Sequence, residues 1–314
     1  FQRANSFKMD WKELKIFLKS SDNRNVTKAL TQIRTKEVKT QSGIQHLLDQ
    51  NFVSVLVPIL ERSNKKNIDV SLSILANLLQ TSVAQTQIRV SGGLNKLINI
   101  CDNIQDRGIQ CRGWRAVANA CQDRDNLAAL SEANICIILS LAVARTDLSD
   151  TDTMTVLVRC IRICCPPEFL VEDPSLAETL VSLLRSEETE AGLLRAVTKC
   201  VAKLSHGASV LASHSLMAAV PRLVQLAEAS ARPEVGDNSL GTLINLSQLA
   251  SFRPGLGAAG VVELLVRRHN SGAREESRVE GDSVVRSLCL YCRHILDRGS
   301  RSSLRDGSKT VGFD

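Results

Sequence analysis

Aromatic residues are scarce in this chain of 314 residues: they make up 3% of it, with one tyrosine and two tryptophans. β-Sandwiches rely on aromatic and β-branched side chains, so this scarcity argues against that fold class. Leucine, valine, isoleucine and alanine must fill the core instead, which is typical of packed helices. Proline, with 7 residues, and glycine, with 17, are too few for a collagen-like or low-complexity sequence.

Long hydrophobic runs are also missing. The longest candidate, residues 133–144, includes Asn134 and Ser140, whereas a membrane span needs about 18–20 apolar residues. The net charge of +6 is too small to indicate a nucleic-acid-binding protein by itself. The first residues show neither an initiator methionine nor a signal peptide, so we expect a fragment of a longer protein.

Ten cysteines are too sparse for a secreted disulfide scaffold in a chain of this length. Most lie among apolar neighbours, such as Cys160, Cys164 and Cys165, so we predict buried free thiols in a reducing compartment, with a cytoplasmic and nuclear localisation. Cys289 and Cys292 form a C-x-x-C pair, but a structural zinc site needs four ligands and no second pair lies nearby. We therefore predict neither a metal nor a cofactor.

Two short patterns recur along the chain with a period near 42 residues. The first is a short, mostly apolar pattern, often with asparagine in third place, and it begins at Leu30, Leu75, Val117, Ile161, Val201, Leu243 and Leu288. The second opens an apolar stripe with helical spacing and begins at Val53, Leu94, Ile135, Leu176, Val220 and Val261. Two landmarks with one period indicate a helical repeat of armadillo or HEAT length. We predict an all-α fold, a right-handed α-solenoid of about seven armadillo-like repeats.

In this prediction the repeat array covers residues 25–298. Residues 1–24 form an N-terminal capping helix, because Leu14, Phe17 and Leu18 lie on one apolar face. The tail, residues 299–314, is rich in serine, arginine and glycine and is predicted to be a loop or disordered. A single repeat cannot bury its apolar face, so stacking creates the core and an extended concave surface.

Five short segments resemble the armadillo repeat-containing protein five family, in the same order along most of the chain. They are residues 33–35, 72–76, 256–263, 286–293 and 304–307. The resemblance implies an armadillo domain followed by a BTB domain that binds cullin-3. It also implies that the armadillo domain receives the substrate of a ubiquitin ligase, the largest subunit of RNA polymerase II. The chain stops before any BTB domain, so we expect the substrate-recognition part alone.

In armadillo folds the last helix of each repeat lines the concave groove, where an asparagine can offer a donor and an acceptor to a peptide backbone. The equivalent position, termed the ladder position, is occupied here by Gln32, Asn77, Asn119, Ile163, Lys203, Asn245 and Leu290. Importin-type grooves also place a tryptophan four residues before the asparagine. Trp114 lies five residues before Asn119, so the sequence argues against a nuclear-import receptor.

The residue four positions before each ladder position lies one turn away on the same helix face. These residues are Lys28, Ser73, Arg115, Arg159, Lys199, Gly241 and Arg286, of which five are basic. A basic stripe in a groove suits an acidic or phosphorylated protein segment, whereas the alternative is an ordinary solvated helix face. The candidate partner-binding residues are Lys28, Asn77, Arg115, Asn119, Arg159, Lys199, Lys203, Asn245 and Arg286.

Catalysis finds no support in the sequence, since the five histidines lie outside recognisable nucleophile, metal or acid–base motifs. We predict a non-catalytic protein-binding scaffold without catalytic residues. Nucleic-acid binding through the same basic groove is the alternative, although few aromatic residues are present for base stacking. The oligomeric state stays open, because the apolar end of the capping helix can pair two copies into a homodimer.

Overall fold

The structure is a computed structural model that describes residues 9–206 and 213–271. Within these ranges all regular secondary structure is helical, which confirms the predicted all-α class. The α-helices of the first half are α1 (Trp11–Lys19), α2 (Asn23–Thr35), α3 (Gln41–Asp49), α4 (Phe52–Leu56), α5 (Lys65–Leu78), α6 (Ser82–Val90), α7 (Gly93–Asn103), α8 (Arg107–Ala120), α9 (Arg124–Glu132), α10 (Ile135–Arg145) and α11 (Thr151–Cys164). The remaining α-helices are α12 (Phe169–Glu172), α13 (Pro174–Arg185), α14 (Ala191–Leu204), α15 (Ser213–Ala229), α16 (Pro233–Ser247), α17 (Arg253–Ala258) and α18 (Val261–Ser271). Two short 3-10 helices cover Glu37–Lys39 and Val57–Glu61.

One long helix in each repeat starts at a nearly fixed interval. Helices α2, α5, α8, α11, α14 and α16 begin at residues 23, 65, 107, 151, 191 and 233, so that successive starts lie 40–44 residues apart. They carry the ladder positions and are termed the third helices. Five of them begin after an acidic or asparagine side chain that accepts a hydrogen bond from a backbone N–H of the first turn: Asp22, Asn64, Asp106, Asp150 and Glu190. These caps fix where the third helices start.

A second landmark is the turn that precedes α4, α7, α10 and α18. The residue just before each of these helices has a positive φ: Asn51 (48°), Gly92 (66°), Asn134 (60°) and Gly260 (79°). Glycine and asparagine are the residues that adopt this left-handed conformation most readily. The small or asparagine residue at this point of the repeat is therefore required by the turn between two helices.

The chain divides into two compact units with a boundary between Cys165 and Pro166. In the first unit, α1 packs on α2 and α4, and the third helices pack side by side in chain order from α2 through α5 and α8 to α11. In the second unit, α14 packs against α16, and α15 packs against α13 and α16. This division did not follow from the sequence, and the boundaries predicted at residues 24 and 298 stay predictions.

The core of each unit is aliphatic, as the scarcity of aromatic residues requires. The repeat landmarks Leu75, Val117, Val201 and Leu243 are exposed by no more than 2%, which confirms the predicted register. In α1, Leu14 and Leu18 are buried, while Phe17 is only half-buried. The side chain of Asp10 caps this helix by accepting a hydrogen bond from the backbone N–H of Glu13.

Eight cysteines lie in the described ranges, and all eight are free thiols. Six of them are buried: Cys101, Cys121, Cys160, Cys164, Cys165 and Cys200. Cys289 and Cys292 lie outside the described residues. Within those ranges no group of His, Cys, Asp or Glu side chains is arranged to hold a metal ion. No single helix in those ranges is long and apolar enough to cross a membrane. Together, α9 and α10 are long and apolar enough, but the two helices are bent by 78° relative to one another.

Candidate partner-binding surface

The candidate residues are divided between the two units. Lys28, Asn77, Arg115, Asn119 and Arg159 lie on α2, α5, α8 and α11 of the first unit. In the second unit, Lys199 and Lys203 lie on α14 and Asn245 on α16. Arg286 lies outside the described residues. The exposed and half-exposed side chains of the third helices are termed the third-helix face, and their role in binding a partner stays a prediction.

Asn119 connects three neighbouring helices. Its side-chain Nδ2 donates a hydrogen bond of 2.6 Å to the carbonyl of Ala76 on α5. Its Oδ1 accepts a hydrogen bond of 2.7 Å from Nη2 of Arg159 on α11. The residue is 5% exposed, so its amide is used to hold adjacent repeats together and to position an arginine. This role differs from the direct contact with a peptide backbone that the sequence predicts for Asn119.

Asn245 makes the same kind of contact in the second unit. Its Nδ2 donates to the carbonyl of Ala202 at 3.1 Å and to Oγ of Ser205 at 2.9 Å. Ala76 and Ala202 both lie 43 residues before the asparagine that binds them, so the contact is a repeated inter-repeat bond. Asn77 differs, because its half-exposed side chain has no hydrogen bond among the residues that the structure describes.

Gln32, at the first ladder position, binds the backbone of a residue near the N-terminus of the same chain. The N–H of Met9 donates to Oε1 of Gln32 at 2.9 Å, and Nε2 of Gln32 donates to the carbonyl of Met9 at 2.8 Å. Both hydrogen bonds of one peptide residue are thereby taken by one buried amide. The first ladder position is occupied by the chain itself, next to the exposed Lys28.

Arg115 and Arg159 lie near one another on the third-helix face of the first unit. Arg115 is exposed and lies one turn before Asn119 on α8, while Arg159 is half-buried and bonded to that asparagine. Desolvation by burial lowers the pKa of Arg159, and the nearby charges of Arg162 and Arg115 lower it further. Neither Arg115 nor Arg159 has a carboxylate partner within the described ranges, so two guanidinium charges lie close together without neutralisation.

Some other basic side chains on the third helices are neutralised within the protein. Nη1 of Arg112 lies 2.6 Å from Oδ1 of Asp69, which joins α8 to α5. In the second unit, Nζ of Lys199 lies 3.3 Å from a carboxylate oxygen of Glu234, and Nη1 of Arg195 lies 3.4 Å from the other oxygen. Lys199 is therefore a weaker candidate than its position in the sequence indicates, because its charge is shared with an acidic side chain.

Arg162 and the acidic partners of the basic residues were not predicted from the sequence. Arg162 is half-buried on α11 and lies close enough to Arg159 to influence its pKa. Its spacing of three residues from Arg159 is a signal that the stripe, defined at one position per repeat, left out. Trp114 is 1% exposed and belongs to the core, in agreement with the prediction that it does not line an importin-type groove.

One solved structure supports the fold. An engineered protein from the Northeast Structural Genomics Consortium superposes with a TM-score of 0.71 at 22% sequence identity, covering 92% of this chain and 71% of that chain. A second engineered protein from the same consortium reaches a TM-score of 0.40 at 20% identity, covering 91% of this chain and 98% of that chain. The first likeness concerns the fold alone. The search of curated proteins gave no match.

The sequence itself identifies the family. Residues 66–301 match the armadillo-repeat profile of ARMC5, which is most of the chain. The matched region contains the third helices α8, α11, α14 and α16, with their repeated start positions and the bonds made by Asn119 and Asn245. The armadillo-type α-solenoid predicted from the two periodic patterns is confirmed. The chain belongs to the ARMC5 armadillo-repeat family.

Proposed function

We propose that this chain is a protein-binding scaffold whose third-helix face in the first unit accepts an acidic or phosphorylated protein segment through Arg115 and Arg159. The observation that carries the proposal is the pair of guanidinium groups without a carboxylate partner in the described part of the chain. Arginine binds carboxylates and phosphates through paired hydrogen bonds, which makes such a pair an acceptor site for acidic groups. Stacked armadillo repeats supply the extended surface that a segment of a large partner needs.

We further propose that the chain is the substrate-recognition domain of a cullin-3 ubiquitin-ligase adaptor. Membership of the ARMC5 family supports this proposal, because that family is expected to receive the largest subunit of RNA polymerase II on its armadillo repeats. Contact with cullin-3 itself is expected through a BTB domain outside these 314 residues. A cytoplasmic and nuclear localisation and a non-catalytic role follow from the same proposal.

Charge reversal tests the proposed surface. The double variant Arg115→Glu, Arg159→Glu is expected to lose most of its capture of the largest RNA polymerase II subunit from nuclear extract, measured by quantitative mass spectrometry. Raising the salt concentration is expected to weaken capture by the wild type, because screening shortens the range of the attraction. Circular dichroism and thermal unfolding of the variant establish that the fold is retained.

The matched control reverses two charges elsewhere in the same unit. Arg24 and Arg124 are exposed, lie in the first turns of α2 and α9, and have no ion pair in the described ranges. Arg24→Glu, Arg124→Glu makes the same change in net charge and is expected to capture the partner as the wild type does. Full capture by the Arg115→Glu, Arg159→Glu variant, with its fold intact, would refute the proposed surface.

Nucleic-acid binding remains the second candidate because it uses the same guanidinium groups. Competition separates the two functions. We expect neither duplex nor single-stranded DNA, nor single-stranded RNA, to displace the captured protein at concentrations that bind basic proteins non-specifically. Displacement by any of these nucleic acids would favour the second function.

A further inference from the structure

Two cationic side chains converge on the third-helix face of the first unit, and their surroundings define what they can bind. Arg115 and Asn119 are one turn apart on α8, and Arg159 reaches from α11 to the Oδ1 of Asn119. Asn119 is itself fixed by its bond to the Ala76 carbonyl on α5. The Arg159 guanidinium is thus held at one point by a neutral acceptor, with its other donors left for a ligand.

Several other arginines of the first unit have an acidic partner. Arg112, the next basic residue on α8, is paired with Asp69 at 2.6 Å. Elsewhere in the first unit, Arg89 is paired with Asp123 at 2.6 Å, and Arg145 with Asp102 at 2.8 Å. Arg115 and Arg159 have no such partner among the residues described. About two positive charges at this place are therefore not balanced by a carboxylate of the described residues. One carboxylate supplies a single negative charge, whereas a phosphoryl group supplies −1.5 to −2 at neutral pH.

The geometry of the donors also favours a phosphoryl group. An arginine presents its N–H groups as a planar fork that matches two oxygens of a phosphate or carboxylate. A phosphoryl group has three terminal oxygens, so it can be shared between two guanidinium groups. A carboxylate has only two oxygens, so two guanidinium groups must share the same acceptor atoms. A half-buried arginine already removed from water also loses less hydration when the ligand arrives.

The neighbouring residues favour a single modified side chain over a nucleic-acid backbone. On the third-helix face, Arg162 and the ion-paired Arg112 lie near the two arginines, while α5 and α11 also place neutral residues and the acidic Asp152 on this face: Ser73, Asn77, Thr155 and Ile163. A nucleic acid carries a charge at every nucleotide and needs a continuous track of cations, often with exposed aromatic rings. The only tryptophan on these helices, Trp114, is buried.

We infer that Arg115 and Arg159 form a subsite for one phosphorylated side chain in an extended protein segment. The inference rests on the proposed function and deepens it, since it selects a phosphoryl group over a carboxylate as the group recognised. Arg162 and the ion-paired Arg112 are other basic side chains on these helices, and Asp152 on α11 is an acidic one. Asn119 acts as a positioning residue, because it orients Arg159 through Oδ1.

The direct test uses three capped peptides, acetyl-Gly-Ala-Gly-X-Gly-Ala-Gly-amide, in which X is phosphoserine, glutamate or serine. Titration of the full 314-residue chain is followed by the arginine side-chain N–H signals in ¹H–¹⁵N NMR spectra, assigned with Arg115→Lys and Arg159→Lys. The phosphoserine peptide is expected to shift both signals and to bind at least fivefold more tightly than the glutamate peptide. The serine peptide is expected to cause no shift at the same concentrations.

The charge state of the ligand gives a second readout. A phosphoryl group has a second pKa of about 6, so its dianion falls about tenfold between pH 7.5 and pH 5.0. Binding of the phosphoserine peptide is expected to weaken by about that factor over this range, whereas binding of inorganic sulfate, which stays a dianion, is expected to change little. If binding of the phosphoserine peptide and binding of sulfate weaken equally at low pH, the titrating group belongs to the protein. That result would contradict the inference.

Variants separate the subsite from the wider surface. Arg159→Lys keeps the charge but not the fork, and we expect at least fivefold weaker binding of the phosphoserine peptide. Arg124→Lys, the matched control on α9, is expected to bind as the wild type does. If glutamate and phosphoserine peptides bind equally, or the shifts occur away from Arg115 and Arg159, the inference is wrong.

Two further results have defined meanings. If single-stranded oligothymidine shifts the same two signals at lower concentration than the phosphopeptide, the site is a nucleic-acid contact and the inference fails. If the phosphopeptide does not bind but the Arg115→Glu, Arg159→Glu variant still loses protein capture, the phosphoryl subsite is wrong while the proposed function stands. If the variant also captures at full strength, the proposed function fails as well.

Discussion

Asn77 and Asn119 occupy equivalent positions on neighbouring third helices but have different surroundings. Asn119 is buried and bonds Ala76 and Arg159, while Asn77 is half-exposed and has no side-chain hydrogen bond in the described part of the chain. Asn119→Ala is expected to lower the free energy of unfolding by about 1–3 kcal/mol, because the carbonyl of Ala76 loses its side-chain partner. Asn77→Ala is expected to change it by less than about 0.5 kcal/mol.

Urea denaturation of both variants, followed by circular dichroism, measures this difference. Equal effects of the two substitutions would show that the asparagine at the ladder position has no structural role in joining repeats. The sequence alone made these two residues equivalent, since both stand in the same Leu/Val–Ala–Asn–Leu/Ala pattern. Their difference depends on residues about 40 positions away, which a local pattern cannot reveal.

The thiols of the first unit give a second test at this scale. Burial raises the pKa of Cys101 and Cys160 well above the ordinary value of a thiol, so both stay protonated at neutral pH. Because the thiolate is the reactive form, iodoacetamide at pH 8 is expected to modify them at least tenfold more slowly in the native protein than in guanidinium chloride. Cys164 and Cys200 are also buried, and we expect iodoacetamide to modify them slowly in the native protein as well. Peptide mass spectrometry measures the extent of modification at each cysteine. Rapid native modification of Cys160 would contradict its burial.

The same pKa shifts make stability depend on alkaline pH. A thiol whose pKa is raised by folding favours the folded state fully below its unfolded pKa, which lies near 9.0, and this contribution is lost as the pH rises further. The free energy of unfolding is therefore expected to fall between pH 8 and pH 10.5. The fall should be smaller in a Cys101→Ala, Cys160→Ala variant, and an unchanged slope would show that other groups cause it.

At the scale of the helix, packing of α5 tests the repeat register. Leu75 is completely buried near the C-terminal end of α5, where it packs with helices of the same unit. Leu75→Ala is expected to cost about 2–5 kcal/mol of unfolding free energy, as for other buried leucines whose removal leaves a cavity. The control Val90→Ala, at a position of α6 that is 80% exposed, is expected to cost less than about 0.5 kcal/mol. A loss below 0.5 kcal/mol for Leu75→Ala would contradict the register.

The helices were predictable from the sequence to different degrees. The long third helices follow from a repeated apolar pattern, and their starts coincide with capping residues such as Asp106 and Asp150. The shorter helices were less apparent. In the first repeat, α4 ends at Leu56 and a 3-10 helix with Pro58 in its first turn continues it, because proline cannot donate a backbone hydrogen bond.

At the scale of the whole molecule, the candidate site was predicted only in part. The sequence placed basic residues at one position in most repeats, and in the structure two of them, Arg115 and Lys199, are exposed. It did not reveal that Glu234 neutralises Lys199, since that ion pair joins residues 35 positions apart. Nor did it reveal the division after Cys165. A periodic pattern reveals the residues that the repeats share, whereas the site depends on residues that differ from one repeat to the next.

The proposed binding of a protein partner to the third-helix face of the first unit can be tested at the level of individual positions. Site-specific photocrosslinking measures this directly, with benzoylphenylalanine placed at Ser73 or Thr155 on the third helices, and at Val90 or Ile137, exposed positions on α6 and α10. After capture from nuclear extract and irradiation, we expect crosslinks to the partner from positions 73 and 155 and not from positions 90 and 137. Crosslinks from positions 90 and 137 alone would contradict the claim and would place the partner on α6 and α10.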